Sequence, residues 1–150
     1  MTPLPLPPTA DGTLKTDAKA KAKVAVENLP NYDLILIHIK GADNASHDGN
    51  LNQKRMMIRK IDGMVNLLLK EVNLRDTYIA LTADHASPIT VKGHAGDPVP
   101  LTIAGPEIIK DGTAIYSERH CAKGSLGRVR GVDLMPTLMN LLGKTAKFGA

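Results

Sequence analysis

With a single cysteine, Cys121, the chain can form no intrachain disulfide, and it has no thiolate pair with which to open a zinc knuckle. Such a sequence suits a reducing compartment, and a cytoplasmic location is expected. Aromatic residues are also scarce, at 3% with no tryptophan, so the stacking platforms of single-strand and RNA binders are missing. No apolar run approaches the length of a membrane-spanning helix. Met1 to Pro8 has neither the basic residues nor the apolar stretch of a secretion signal, so no membrane partner is expected. Acidic residues fall short of basic ones, 15 against 19, for a net charge of +4. Much of the excess is Lys15, Lys19, Lys21 and Lys23, interleaved with alanine as on a solvated helix. The basic balance therefore does not argue for nucleic acid.

What is present is enough for one folded domain: 150 residues, 43% of them hydrophobic. Four prolines in the first eight residues and an Asp11-Gly12 turn predict a Pro-rich extended arm over 1–13, with little order of its own. The domain proper is then 14–150. Asp17 reads as the cap of a helix that Pro30 stops near Leu29, with Ala22, Val26 and Leu29 facing inward. Asp33 to Lys40 is a nearly unbroken apolar, β-branched run, the pattern of a central strand buried on both faces. Gly41 to Asn50 is polar and reads as a loop. Ile58, Ile61, Val65, Leu68 and Val72 then mark one face of a helix from about Leu51 to Val72.

Two further strands are predicted at Thr77 to Thr82 and Val99 to Ala104, the second starting late because of Pro98 and Pro100. A last helix, Leu134 to Leu142, follows Asp133 as cap, carries Pro136 in its first turn and ends at Gly143. The methionines at 56, 57, 64, 135 and 139 fit helix packing. This alternation predicts an α/β fold, layered α/β/α with a mostly parallel sheet, in which ligands bind beyond the carboxyl ends of the strands.

The chemistry-bearing residues gather at those ends. Asp43 and His47 follow the first strand four residues apart, so one helical turn would bring carboxylate and imidazole to the same side. Asp84 and His85 follow the second strand, and His94 precedes the third. Any one of them alone is better read as a cap, turn or surface residue. Placed together after successive strands, they form a mixed Asp/His set suited to a site with two Zn²⁺ or Mn²⁺ ions and to phosphoryl transfer. Asp48 and Asp97 could orient imidazoles, and Lys40 could reach a phosphate. Arg128 and Arg130 could clamp a phosphate or carboxylate, with a solvated loop an equal alternative. His38 reads as a hydrogen-bonded core residue and Cys121 as a small inert hydrophobe.

The runs HIKGADNASHDGN, TADHASP, KGHAGDPVPLTI and CAKGSLGRVRGVDLMPTLMNLLGKTAKFGA resemble, in order and spacing, the C-terminal part of archaeal-type cofactor-independent (2,3-bisphosphoglycerate-independent) phosphoglycerate mutases. The resemblance runs from about Leu14 to Ala150. The TADH and GHAGDPVP blocks and the closing helix are similar to the wider alkaline phosphatase superfamily. It implies an alkaline-phosphatase-like fold represented only by its C-terminal part. It implies two divalent ions, Mn or Zn, and no bisphosphoglycerate. Asp43, His47 and His94 would hold one ion, while Asp84 and His85 would contribute to the other.

In that family a serine takes phosphate from a phosphoglycerate and returns it to the other hydroxyl. The serine and a further aspartate lie in segments to which nothing here is similar. Ser46, Ser87, Ser117 and Ser125 do not match the nucleophile loop, so no catalytic residue is assigned and the isolated chain is expected to be inactive. A complementing N-terminal half, or self-association, is the implied protein partner. Two other readings remain: a non-catalytic metal-binding remnant, and a related phosphatase or phosphopentomutase.

Overall fold

Asp17 is held in extended geometry, φ −84° and ψ 94°, and its carboxylate accepts the Ala20 N–H at 3.0 Å. This is the predicted cap, and it starts α1 at Ala18–Asn28. Pro30 lies in the single 3-10 turn Leu29–Asn31 that ends the helix. Ala18, Ala22 and Ala25 are buried on one stripe, and their small side chains let α1 lie close against α3, Leu51–Glu71. The computed structural model describes residues 1–145, in two compact units divided after Ile108. The final residues of the C-terminal block quoted above, 146–150, lie outside the described residues.

In the first unit, α3 is capped by Asn50, whose side chain accepts the Gln53 N–H. Its buried side chains are Met57 and Met64, flanked by half-buried Ile61, Val65 and Leu68. Burial of a side chain such as Met57 contributes about 1.5–3 kcal/mol. Ile58, expected on this face, is 52% exposed. The inner stripe is centred one residue earlier, on Met57.

The expected central strand at 33–40 does not form. Leu34 to Lys40 has no assigned secondary structure, and Leu36 is 66% exposed. Ile37 and Ile39 pack against the cluster of Ala18, Ala22 and Met64, so the segment buries one side only. A strand exists through its ladder, and no described residue supplies a neighbour for this one.

The following stretch, expected as a loop, is instead a short helix, α2, Gly41–His47. Gly41, Ala45 and Ser46 are buried, and the helix packs against α3. A Cβ on Gly41 would lie 2.6 Å from Met57 Cε and 3.2 Å from the Thr13 carbonyl, so a larger residue there would have to displace the buried Met57 side chain.

Residues 1–13 form no helix or strand, yet their end is anchored. Ala10 is buried, the Thr9 carbonyl accepts the Asp17 N–H at 2.7 Å, and Asn44 Nδ2 donates to the Gly12 carbonyl at 3.1 Å.

The remaining strands are β1, Ile79–Leu81, and β2, Thr102–Ala104, the only sheet among the described residues. They are shorter than expected and run antiparallel, with Ile79 opposite Ala104 and Leu81 opposite Thr102. Parallel pairing needs a crossover, commonly a helix, and the chain between these strands has none. Starting at Thr102, β2 lies beyond both prolines, which have no N–H for a ladder.

In the second unit, α4 is Glu118–Cys121, capped by the Ser117 hydroxyl, and α5 is Gly131–Leu141. The last helix was expected from Leu134 with Asp133 as cap. It begins earlier, and Asp133 sits in its first turn, taking the Arg130 guanidinium at 2.7 and 2.9 Å. Pro136 accordingly falls inside the helix. Gly143, at φ +65°, ends it as expected, its N–H donating to the Asn140 carbonyl.

Candidate metal centre

Packing of Gly41, Ala45 and Ser46 against α3 leaves the Asp43 and His47 stripe of α2 to face outward, one turn apart. Asp43 Oδ1 lies 3.4 Å from His47 Nε2 and 3.6 Å from His94 Nε2, and the two Nε2 atoms are 3.3 Å apart. His94 reaches this point on the segment that leads toward β2. That segment is tied to the one leaving β1 by the Ala95 N–H donating to the Ala86 carbonyl at 2.9 Å.

The three atoms form a nearly equilateral triangle that could hold a cation. A tetrahedral ion with bonds of about 2.0–2.1 Å sets its ligands about 3.3–3.4 Å apart. The triangle has nearly those edges. The donor set fits as well. Asp43 Oδ1 is shielded from solvent and accepts no hydrogen bond, a costly state for a carboxylate oxygen unless a cation faces it.

The tautomer of His47 follows from its other side. Its Nδ1 lies 3.2 Å from the Lys92 carbonyl, which can only accept, so Nδ1 carries the proton. Nε2, at the corner of the triangle, is then the nitrogen left to meet an ion. Lys92 adopts φ +53°, and its side chain lies over Gly49, itself at φ +67°. Sequence reasoning missed this group, because every residue has a carbonyl and only the turn after Pro88 aims this one.

Asp84 and His85 form a looser pair. Asp84 Oδ2 is 3.4 Å from His85 Nε2, and its Oδ1 accepts the His85 N–H at 3.0 Å, while the side chain is 72% exposed. The His85 ring stacks on His94, centroids 3.5 Å apart, so this pair adjoins the triangle. His85 Nδ1 is buried without a partner. Lys54 of α3 steadies the turn by donating to the Ser87 carbonyl at 2.6 Å. Among the described residues, no third Asp, Glu, His or Cys joins Asp84 and His85 in a metal-sized cluster.

Of the other candidates, Lys40 stands at the rim, its Nζ 4.0 Å from Asp43 Oδ2. His38 is exposed rather than a core residue, and its carbonyl accepts Lys21 Nζ at 3.1 Å. The orienting group for His47 is Lys92, not Asp48 or Asp97. Arg128 and Arg130 belong to the second unit. Arg128 is exposed, whereas the fork of Arg130 is engaged by Asp133, a bond that raises its pKa further.

Residues 7–141 match the metalloenzyme superfamily. The chain belongs to it. The match starts ahead of the Leu14 boundary suggested by the motifs. A 2,3-bisphosphoglycerate-independent phosphoglycerate mutase of Thermococcus gammatolerans is 45% identical over 144 residues, 96% of this chain and 35% of that protein. The enzyme of the same name from Ignicoccus hospitalis is 45% identical over 145 residues, 97% of this chain and 34% of that protein. A solved structure of a protein from Pyrococcus horikoshii superposes with TM-score 0.92 at 44% identity, covering 96% of this chain and 44% of that one. The chain thus has the mixed α/β, alkaline-phosphatase-like fold of metalloenzyme superfamily members. It spans about a third of the length of the curated relatives it matches. No helix among the described residues is long and apolar enough to cross a membrane.

Proposed function

We propose that this chain is the metal-binding part of a cofactor-independent phosphoglycerate mutase. In this reading Asp43, His47 and His94 hold one divalent ion, Mn²⁺ or Zn²⁺, and Asp84 and His85 contribute to a second. The observation that carries it is the unpartnered Asp43 Oδ1 at the corner of a triangle of ligand size, in a chain 45% identical to named mutases along nearly its whole length. Divalent ions here would stabilise charge on the attacking and leaving oxygens of phosphoryl transfer. The Lys92 carbonyl keeps His47 in the ligating tautomer, and Lys40 at the rim meets a substrate phosphate. Arg128 and Arg130, the other expected phosphate or carboxylate contacts, lie in the second unit, where Asp133 engages the Arg130 fork.

The serine that carries the phosphate, the remaining ligands of the second ion and the rest of a mostly parallel sheet then come from residues outside these 150. The bare Asp84 and His85 pair supports this and equally suits a second reading, a metal-binding remnant without catalysis.

The deciding experiment assays the purified chain with 3-phosphoglycerate and Mn²⁺, alone and co-purified with the N-terminal part of the Thermococcus gammatolerans mutase. Metal binding without turnover alone, and turnover in the complex, is expected. Turnover by the isolated chain would refute an external nucleophile, stoichiometric metal with no turnover in either sample would favour the remnant, and absence of metal binding would overturn the site.

A further inference from the structure

Met56, Arg59 and Gly63 recur at steps of three and four along α3, so they share one face of the helix, and Lys60 stands beside them. With the stretch from Lys15 to Lys19 they line a cleft of about 580 Å³, within the range of small-molecule sites. Four of the lining side chains are cations, Lys15, Lys19, Arg59 and Lys60, against the single carboxylate of Asp17. Lys60 ties the two walls together, its Nζ donating to the Leu14 carbonyl at 2.9 Å and the Thr16 carbonyl at 3.3 Å. Asp17 Oδ1 is engaged by the Ala20 N–H. The side chains of Lys15, Lys19 and Arg59 have no hydrogen-bond or ion-pair partner among the described residues. Gly63 opens the floor. It lies inside α3, where glycine is less favourable than alanine, and a Cβ there would meet Lys19 Cε at 3.3 Å. The Lys19 stem lies along α3 at this gap, which brings a cation of α1 to the α3 wall.

We infer that this cleft binds a small molecule bearing two phosphate groups, at a site separate from the metal centre. None of its lining residues is a ligand of the Asp43, His47 and His94 triangle. The charge of the lining selects the ligand. Four cations less one carboxylate leave three positive charges, and a phosphate monoester carries about −1.5 to −2 at neutral pH, so two such groups balance the cleft and one does not. Arg59 supplies a planar fork for one phosphate, and Lys15 and Lys19 supply point charges for the other. A cleft lined by one sign of charge also concentrates the field and draws in an oppositely charged solute. Nucleic acid is the poorer match, because no aromatic side chain lines the cleft for a base to stack on.

The test titrates the full chain, loaded with Zn²⁺, with fructose 1,6-bisphosphate and with fructose 6-phosphate, and follows the ¹⁵N amide shifts. The two sugars differ by one phosphate group. The bisphosphate should bind one-to-one and about tenfold more tightly than the monophosphate, the scale of one charge-assisted hydrogen bond, with the largest shifts at Lys19, Arg59 and Gly63. Lys19→Gln combined with Arg59→Gln should cut its affinity by about tenfold or more. Lys23→Gln combined with Lys70→Gln removes the same charge outside the cleft and should change the affinity by less than about twofold. Gly63→Leu keeps every charge and fills the floor, and it should lose as much as the Lys19 and Arg59 pair. All variants should keep the thermal transition of the unaltered chain, which shows that they fold. Absence of binding, equal affinity for the two sugars, equal losses in the two glutamine pairs or full affinity in Gly63→Leu overturns the inference. Shifts centred on Asp43, His47 and His94 would move the ligand to the metal centre and overturn it too. A single-stranded oligonucleotide that bound at the same amides more tightly than the bisphosphate would assign the cleft to nucleic acid instead.

Discussion

Asp111 and Asp43 are carboxylates with opposite surroundings. Asp111 is saturated by its own chain. Its Oδ1 accepts the Thr113 N–H at 2.8 Å, and its Oδ2 accepts the Ser125 N–H at 2.7 Å and the Ser125 hydroxyl at 3.1 Å. Those donors, the Ser125 amide foremost, hold its pKa down to about 2. Asp43 instead keeps one oxygen shielded from solvent with no donor. The contrast separates a brace, which has used its acceptors internally, from a ligand, whose acceptor is reserved for a cation from outside.

The most damaging test of that distinction removes the reserved group. Asp43→Ala or His94→Ala should end stoichiometric Mn²⁺ or Zn²⁺ binding, a loss beyond the roughly 10–100-fold typical of an outer partner. His38→Ala and Asp111→Asn should leave it intact by calorimetric titration. Equal losses for His38 and His94 would break the assignment.

A smaller effect is expected at Lys92. Lys92→Val, which disfavours φ +53°, should weaken metal binding by about 10–100-fold and shift the ¹⁵N signals of His47 away from the Nδ1-protonated tautomer. Lys92→Gly, at ease in that conformation, should stay close to wild type. Unchanged binding in the valine variant would show that the carbonyl does not orient the ring.

The smallest effect belongs to the brace. A carboxylate with a depressed folded pKa stabilises above its ordinary value of 3.8, and that contribution is lost as pH falls through about 2. The Ser125 and Thr113 amides should therefore begin exchanging faster across that acid range, and Asp111→Asn should show the faster exchange at neutral pH with no acid step. An acid step that persists in the asparagine variant would assign it to another group.

Much of this was legible in residue order because it depends on nearest neighbours. Asp17 capping, the Pro30 stop and the Gly143 stop are local, and each falls where expected. The Asp43 and His47 spacing needs only one helical turn. Elements defined by distant partners were not legible. The 33–40 run has every local property of a strand and lacks the ladder, while GADNASH looks like a loop until α3 covers Gly41, Ala45 and Ser46. A one-residue error in the inner stripe of α3 arose because Met57 and Ile58 are both apolar and only packing chooses between them. The orienting carbonyl of Lys92 has no side-chain signature at all.

His47 and His94 are 47 positions apart in the chain. Held by one ion, they would close a loop of that length, a cross-link whose constraint on the unfolded chain is on the order of 4 kcal/mol by the loop-entropy relation used for disulfides. Metal supply would then set how much of the chain is folded as well as what it can bind, and chelation would act as a denaturant of the first unit.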